Sequence, residues 1–169
     1  MLVTGGARSG KSGYAQKQAL QLSDRPVYVA TAKRYDDEDF KSRINRHIAD
    51  RDERWTTIEE QLQLSTLVLE KKVVVVDCIT LWLTNLFSLN KYDAEQSLHH
   101  IMAEINALLQ MDTTFIMITN ELGMGVHAET EIGRKFTDLQ GWANQFIAAK
   151  ANKVVLMVSG IPLTIKNSL

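Results

Sequence analysis

The sequence predicts an α/β fold, with a mostly parallel central sheet covered by helices on both sides. Two observations predict it. Short apolar runs, several of them rich in β-branched residues and apolar on both faces, alternate with longer stretches of helical periodicity. In addition, residues 5–12, GGARSGKS, follow the apolar start MLVT and open an amphipathic stretch. That is the strand–loop–helix context of a phosphate-binding P-loop. Alternating strand and helix units favour a parallel sheet, because each helical crossover carries the chain back to the end of the sheet from which the last strand started.

The elements follow in order. Runs 2–4, 27–30, 73–76, 115–119 and 154–158 read as buried strands. Segments 12–22, 37–50, 61–70, 94–110 and 131–149 read as helices. In the last of these, Ile132, Phe136, Leu139, Ala143, Phe146 and Ile147 recur at helical spacing and mark one buried face. The tail 161–166 reads as a final edge strand, since Pro162 cannot donate into a central ladder. No repeat, low-complexity tract or Pro/Gly-rich linker divides the 169 residues, so one domain over 1–169 is expected.

Composition narrows the function classes. The chain is 45% hydrophobic and 23% charged with a formal net charge of −1, so nothing marks it as a nucleic-acid or membrane binder. Its one cysteine, Cys78, excludes an internal disulfide and leaves no zinc-ligand spacing. No apolar run approaches the roughly 20 residues of a membrane span. The N-terminus lacks a signal-peptide layout. A cytoplasmic protein is expected.

Gly5, Gly10, Lys11 and Ser12 satisfy G-x-x-x-x-G-K-[ST]. The loop Gly5, Gly6, Ala7, Arg8, Ser9, Gly10 is expected to wrap its amides around phosphate oxygens, aided by the positive end of the helix that follows. Lys11 is expected to reach the β- and γ-phosphates, and the Ser12 hydroxyl to ligate Mg²⁺. Asp77, at the end of the run Val73–Val76, is expected to hold the same Mg²⁺ at the rim where α/β ligands bind. The other reading of Asp77 is a cap for the segment 78–89.

The stretch 36–59, DDEDFKSRINRHIADRDERWTTIE, is dense in charge. Arg43, Arg46, His47, Asp50 and Arg51 recur at steps of three or four and can share a helix face. Spacing alone also fits a solvated helix with Asp39–Arg43 and His47–Arg51 pairs. An imidazole kept neutral among arginines can be a nucleophile, with the same arginines holding the phosphates it attacks.

Four blocks carry a resemblance that spans nearly the whole chain: LVTGGARSGKS, RINRHIADRDERWTTIE, VVVVDCITLWLTNL, and ITNELGMGV continued by Arg134–Gln145 and VSGIPLTIK. Together they resemble the bifunctional adenosylcobinamide kinase / adenosylcobinamide-phosphate guanylyltransferase family of cobalamin biosynthesis. The resemblance implies a P-loop NTPase, RecA-like three-layer fold and a homotrimer. It also implies two reactions. In the first, adenosylcobinamide is phosphorylated by a nucleoside triphosphate, ATP or GTP. In the second, GMP passes from GTP through a histidine to adenosylcobinamide phosphate, giving adenosylcobinamide-GDP. By position it makes His47 the nucleophile. It places Ile48, Ala49, Asp50 and Arg51 along the guanine nucleotide, makes Glu59 a nucleotide-binding acid, and makes Ala30, Thr31 and Ala32 a nucleotide-contacting turn.

The chain departs from the family pattern at His127 and Ala128, where many relatives carry proline, and at Phe40, where relatives often carry methionine. Between Thr31 and His47 it is one residue longer than some relatives. Asn120, Glu121, Gly123 and Gly125 suit a tight active-site loop after the strand 115–119. Without the resemblance, a simple P-loop small-molecule kinase with no covalent intermediate, or a nucleotide-gated switch, would also fit the phosphate loop.

Overall fold

The computed structural model describes residues 1–33 and 52–168. The predicted helix over 37–50 lies outside the described residues. Strand β1 (Leu2–Gly5) leads through the P-loop into helix α1 (Lys11–Leu22), and β2 (Val27–Ala30) returns. After β3 (Thr56–Glu59) come β4 (Val73–Asp77), α2 (Ile79–Leu89) and α3 (Ala94–Leu108). Then follow β5 (Thr114–Ile118), α4 (Glu131–Lys150), β6 (Lys153–Val158) and β7 (Ile161–Asn167). The strands form one seven-stranded sheet in the order β3-β2-β4-β5-β1-β6-β7. All neighbours are parallel except β7, which pairs antiparallel with β6 at the edge. This is the α/β architecture expected, and it is consistent with a P-loop NTPase fold.

The strand side chains alternate between two cores, as a pleated sheet requires. On one face Leu2, Val29, Val74, Val76, Met117 and Val154 meet Trp82 and Leu86 of α2, Ile101 and Ile105 of α3, and Leu139, Ala143 and Ile147 of α4. On the other, Val3, Val75, Ile116 and Val155 meet Ala15 and Ala19 of α1. Because both faces are covered, the central strands read as continuous apolar runs rather than alternating ones.

Two elements differ from expectation. The predicted helix over 61–70 is only a 3₁₀ turn, Leu64–Thr66. Within it the Thr66 and Leu67 amides donate to the Gln63 and Leu64 carbonyls, and side chains take other backbone groups. The Leu62 and Gln63 amides donate to Glu60 Oε1, the Ser65 amide donates to Glu104 Oε2, and the Leu62 carbonyl accepts Trp82 Nε1–H at 2.9 Å. With the Ser65 amide and the Leu62 carbonyl taken, the i→i−4 ladder of a helix over 61–70 does not form. The second difference is β3, an element the sequence does not announce. It is four residues long, mostly exposed, and follows a charged stretch that hides its pattern. Its order comes from pairing with β2, from Val27↔Thr56 to Ala30↔Glu59.

Trp82 is fully buried and its indole N–H is the partner of the Leu62 carbonyl. Trp82→Ala is expected to cost about 3–5 kcal/mol, read as a lowered urea midpoint. Trp82→Phe keeps most of the apolar contact but strands that carbonyl, and should cost less, about 1–3 kcal/mol.

Candidate active site

Parallel pairing brings the C-terminal ends of the strands to one rim, and register fixes which residues share it. Ala30 pairs with Glu59 on one side and Asp77 on the other. Asp77 pairs with Ile118, and Ile118 with Val3. The rim therefore carries, in order, Glu59, Ala30, Asp77, the chain leaving β5, and Gly5.

At Gly5 the backbone has φ 148°, and a Cβ there would lie 2.5 Å from the Met157 carbonyl oxygen. Only glycine allows β1 to pass so close to β6 and then turn. Gly10, the N-cap of α1, has φ 91° and abuts Gly160 of the β6–β7 turn, where a Cβ on Gly10 would lie 3.3 Å from the Gly160 Cα. The Gly160 amide donates to the Ser9 carbonyl at 3.0 Å, so the hairpin tip is tied to the phosphate loop. Arg8 adopts a left-handed φ of 56° at the loop's exposed crown, beside Gly6 and Ala7. Ser9 Oγ is buried with no partner among the described residues. Lys11 is buried, and its ammonium folds over the loop to donate to the carbonyls of Gly5 (2.9 Å) and Gly6 (2.6 Å).

The acid meets the loop across the sheet. Ser12 Oγ donates to Asp77 Oδ2 at 2.8 Å, and the Tyr28 hydroxyl donates to the same oxygen at 2.5 Å. Two oxygens bound side by side at about 2.1 Å in an octahedral shell lie about 3 Å apart, so the Ser12–Asp77 pair has the chemistry and spacing that Mg²⁺ accepts. Asp77 does not cap α2. That role falls to Cys78, whose Sγ accepts the Leu81 amide at 3.4 Å. The sulfur is buried, and burial, followed by the adjacent Asp77 charge, pushes its thiol up to about 12. Cys78 is therefore packing, not a nucleophile.

The turn after β2 is held from below. Thr31 is fully buried and exchanges hydrogen bonds with the Cys78 peptide, Oγ1 donating to its carbonyl (2.7 Å) and accepting its amide (2.8 Å). The hydroxyl proton is thus committed inside the protein. Asn85 of α2 donates both amide hydrogens, to the Thr31 carbonyl (2.8 Å) and the Gln61 carbonyl (3.1 Å). One side chain so clamps the exits of β2 and β3.

This geometry brings Gly5–Ser12, Ala30–Ala32, Glu59 and Asp77 to one rim. His47, Ile48, Ala49, Asp50 and Arg51 lie outside the described residues. Away from this rim, His99 and His127 are exposed, Trp82 is core, and Trp142 is half-exposed on α4. Tyr28 and Asn85 were missed by sequence reasoning. Both act across long sequence separations, and no local pattern announces such pairs.

The family model described as CobU, cobinamide kinase / cobinamide phosphate guanyltransferase, matches residues 1–165. The chain belongs to this family. Among its curated relatives is the bifunctional adenosylcobalamin biosynthesis protein CobU of Escherichia coli (strain K12), 37% identical over 98% of this chain and 99% of the relative. The CobU protein of Salmonella typhimurium is 39% identical over 98% of this chain and 99% of its own length. The bifunctional protein CobP of Pseudomonas aeruginosa is 36% identical over 98% and 96%. The expected family is therefore the one found, and with it the class of enzyme, a transferase that works on cobinamide substrates. Among the described residues no helix is long and apolar enough to cross a membrane.

In this CobU-family chain a thiol near 12 is almost wholly protonated at about pH 8, with a thiolate fraction of about 10⁻⁴. Native protein should resist iodoacetamide at Cys78, while urea-unfolded protein is alkylated at the rate of a free thiol. Rapid native labelling would contradict the buried position.

Proposed function

We propose that the chain phosphorylates adenosylcobinamide with a nucleoside triphosphate and then moves GMP from GTP, through His47, onto the new phosphate. Beyond family membership, the observation that carries this is the Ser12–Asp77 contact beside a glycine-built phosphate loop.

The residues divide the work by chemistry. The loop Gly5–Gly10 offers backbone amides and the N-terminus of α1 to phosphate oxygens. Lys11, held at the loop, places a positive charge where charge develops in phosphoryl transfer. Ser12 and Asp77 are the oxygen pair for Mg²⁺, which when bound spreads the charge of the triphosphate. Tyr28 fixes the orientation of the Asp77 carboxylate. In the second reaction an imidazole nitrogen of His47 bonds to the α-phosphorus of GTP as its bond to the pyrophosphate oxygen breaks. An oxygen of adenosylcobinamide phosphate then bonds to that phosphorus, and the N–P bond breaks. Splitting the transfer this way replaces one difficult displacement with two easier ones. Ile48, Ala49, Asp50, Arg51 and Glu59 are assigned to the guanine nucleotide, and the turn Ala30–Thr31–Ala32 to the same ligand through its backbone.

The same proposal includes a cytoplasmic homotrimer. Its support in this chain is the edge strand β7, where Ile161, Leu163 and Ile165 are 70%, 55% and 58% exposed, an apolar edge of the kind that soluble proteins cover. Light scattering should give about three times the 19.1 kDa chain mass.

The deciding experiment mixes protein, Mg²⁺ and GTP labelled at the α-phosphate, then denatures. Label should remain on the wild-type chain, be lost in acid and survive in base, as a phosphoramidate does. His47→Ala should carry none. Absence of label on the wild type would leave a plain kinase.

A further inference from the structure

Strand β5 lies between β4 and β1, so the chain leaving it emerges between Asp77 and the phosphate loop. Two consecutive amides bridge that gap. The Asn120 amide donates to Thr80 Oγ1 at 2.9 Å, three residues beyond Asp77. The Glu121 amide donates to the Gly5 carbonyl at 3.1 Å, the same oxygen that receives Lys11 Nζ at 2.9 Å. The Glu121 backbone is therefore set beside the lysine that the proposed reaction uses, its amide and the lysine ammonium sharing one carbonyl.

This stretch is braced from α4 by a buried polar network. Asn144 Nδ2 donates to the Asn120 carbonyl at 3.1 Å. Asn144 Oδ1 accepts from Thr119 Oγ1 at 2.7 Å and from Gln140 Nε2 at 3.0 Å, and the latter also reaches Thr119 Oγ1 at 3.0 Å. Thr119 and Gln140 are 0% and 1% exposed. Burying these groups costs desolvation, and what the network gains is a fixed backbone from Thr119 to Glu121. The Glu121 side chain is itself half-tethered. Its Oε1 accepts the Gly123 amide at 2.8 Å, and its Oε2 has no partner among the described residues.

Phosphorylating an alcohol requires somewhere for the hydroxyl proton to go. Lys11 is a cation, and Asp77 Oδ2 already accepts from Ser12 and Tyr28. We propose that Glu121 is the general base for the acceptor hydroxyl in the kinase step. This rests on the kinase reading above. The hydroxyl proton passes to Glu121 Oε2 as the alcohol oxygen bonds to the γ-phosphorus. The bond from that phosphorus to the bridging oxygen breaks, and the nucleoside diphosphate leaves. The protonated Glu121 returns its proton to water. A positioned base of this kind contributes about 10²–10⁴-fold.

The test compares wild type, Glu121→Gln and Glu121→Asp in two assays, adenosylcobinamide phosphorylation and label uptake from α-labelled GTP. Glu121→Gln keeps an oxygen for the Gly123 amide but cannot take a proton. Its kinase kcat should fall about 10²–10⁴-fold, and the acidic limb of its kcat/KM profile should vanish. Its label uptake and thermal midpoint should stay close to wild type. Glu121→Asp should retain partial activity and the acidic limb. Unchanged kinase kcat in Glu121→Gln would overturn the proposal, as would equal loss in both assays, which would mark a scaffold role. A wild type that takes up label but phosphorylates no cobinamide would overturn the kinase reading, and this assignment with it.

Discussion

The carbonyl of Gly5 organises the site. It receives the ammonium of Lys11 and the amide of Glu121, from distant parts of the sequence. Both reach it only because β1 leaves the sheet with no side chain, its backbone pressed against Met157. A methyl group there would force β1 and β6 apart, and the two donors would lose their common acceptor. The position of the lysine, the bridge from β5 and the tie from Gly160 to Ser9 all depend on that close approach.

Around this point the protein uses two kinds of interior. Below the rim, apolar side chains fill both faces of the sheet. At the rim itself, the contacts are hydrogen bonds in which nearly every donor is specified: Thr31 with Cys78, Asn85 with two carbonyls, and Thr119 with Asn144 and Gln140. Such networks have little tolerance for loose geometry, since an unmet buried donor or acceptor is costly. Rigid polar scaffolding directly beneath a phosphate loop is suited to reactions that depend on placement more than on bond-making by the protein.

Much of the fold was legible because its signals are local. The β-branched runs, the helical periodicity of α4 and the glycine–lysine loop each sit within one short window, and Pro162 marked the edge strand correctly. The misses share the opposite character. Segment 61–70 carries leucines that look helical, yet Glu60, Glu104 and Trp82 claim its backbone from elsewhere. The strand β3 has no pattern of its own and borrows its order from β2. At the site, Asp77 is legible from its place after four valines, whereas Tyr28 and Asn85 become visible only through partners 24 to 54 residues away. The cap of α2 is the sulfur next to Asp77, so the cap reading of that carboxylate gives way to its contact with Ser12.

The tie between the β6–β7 turn and the phosphate loop also sets an order of events during synthesis. The P-loop leaves the ribosome well ahead of its partners, since Leu2 pairs with Met117 and Val154, and Ser9 waits for Gly160. A nascent chain therefore carries this motif incomplete until the β6–β7 hairpin has been translated. Contacts of such sequence separation slow folding, because the long loop must close before any of them is formed. A ribosome stalled anywhere before that hairpin would hold a chain whose phosphate loop lacks its last support.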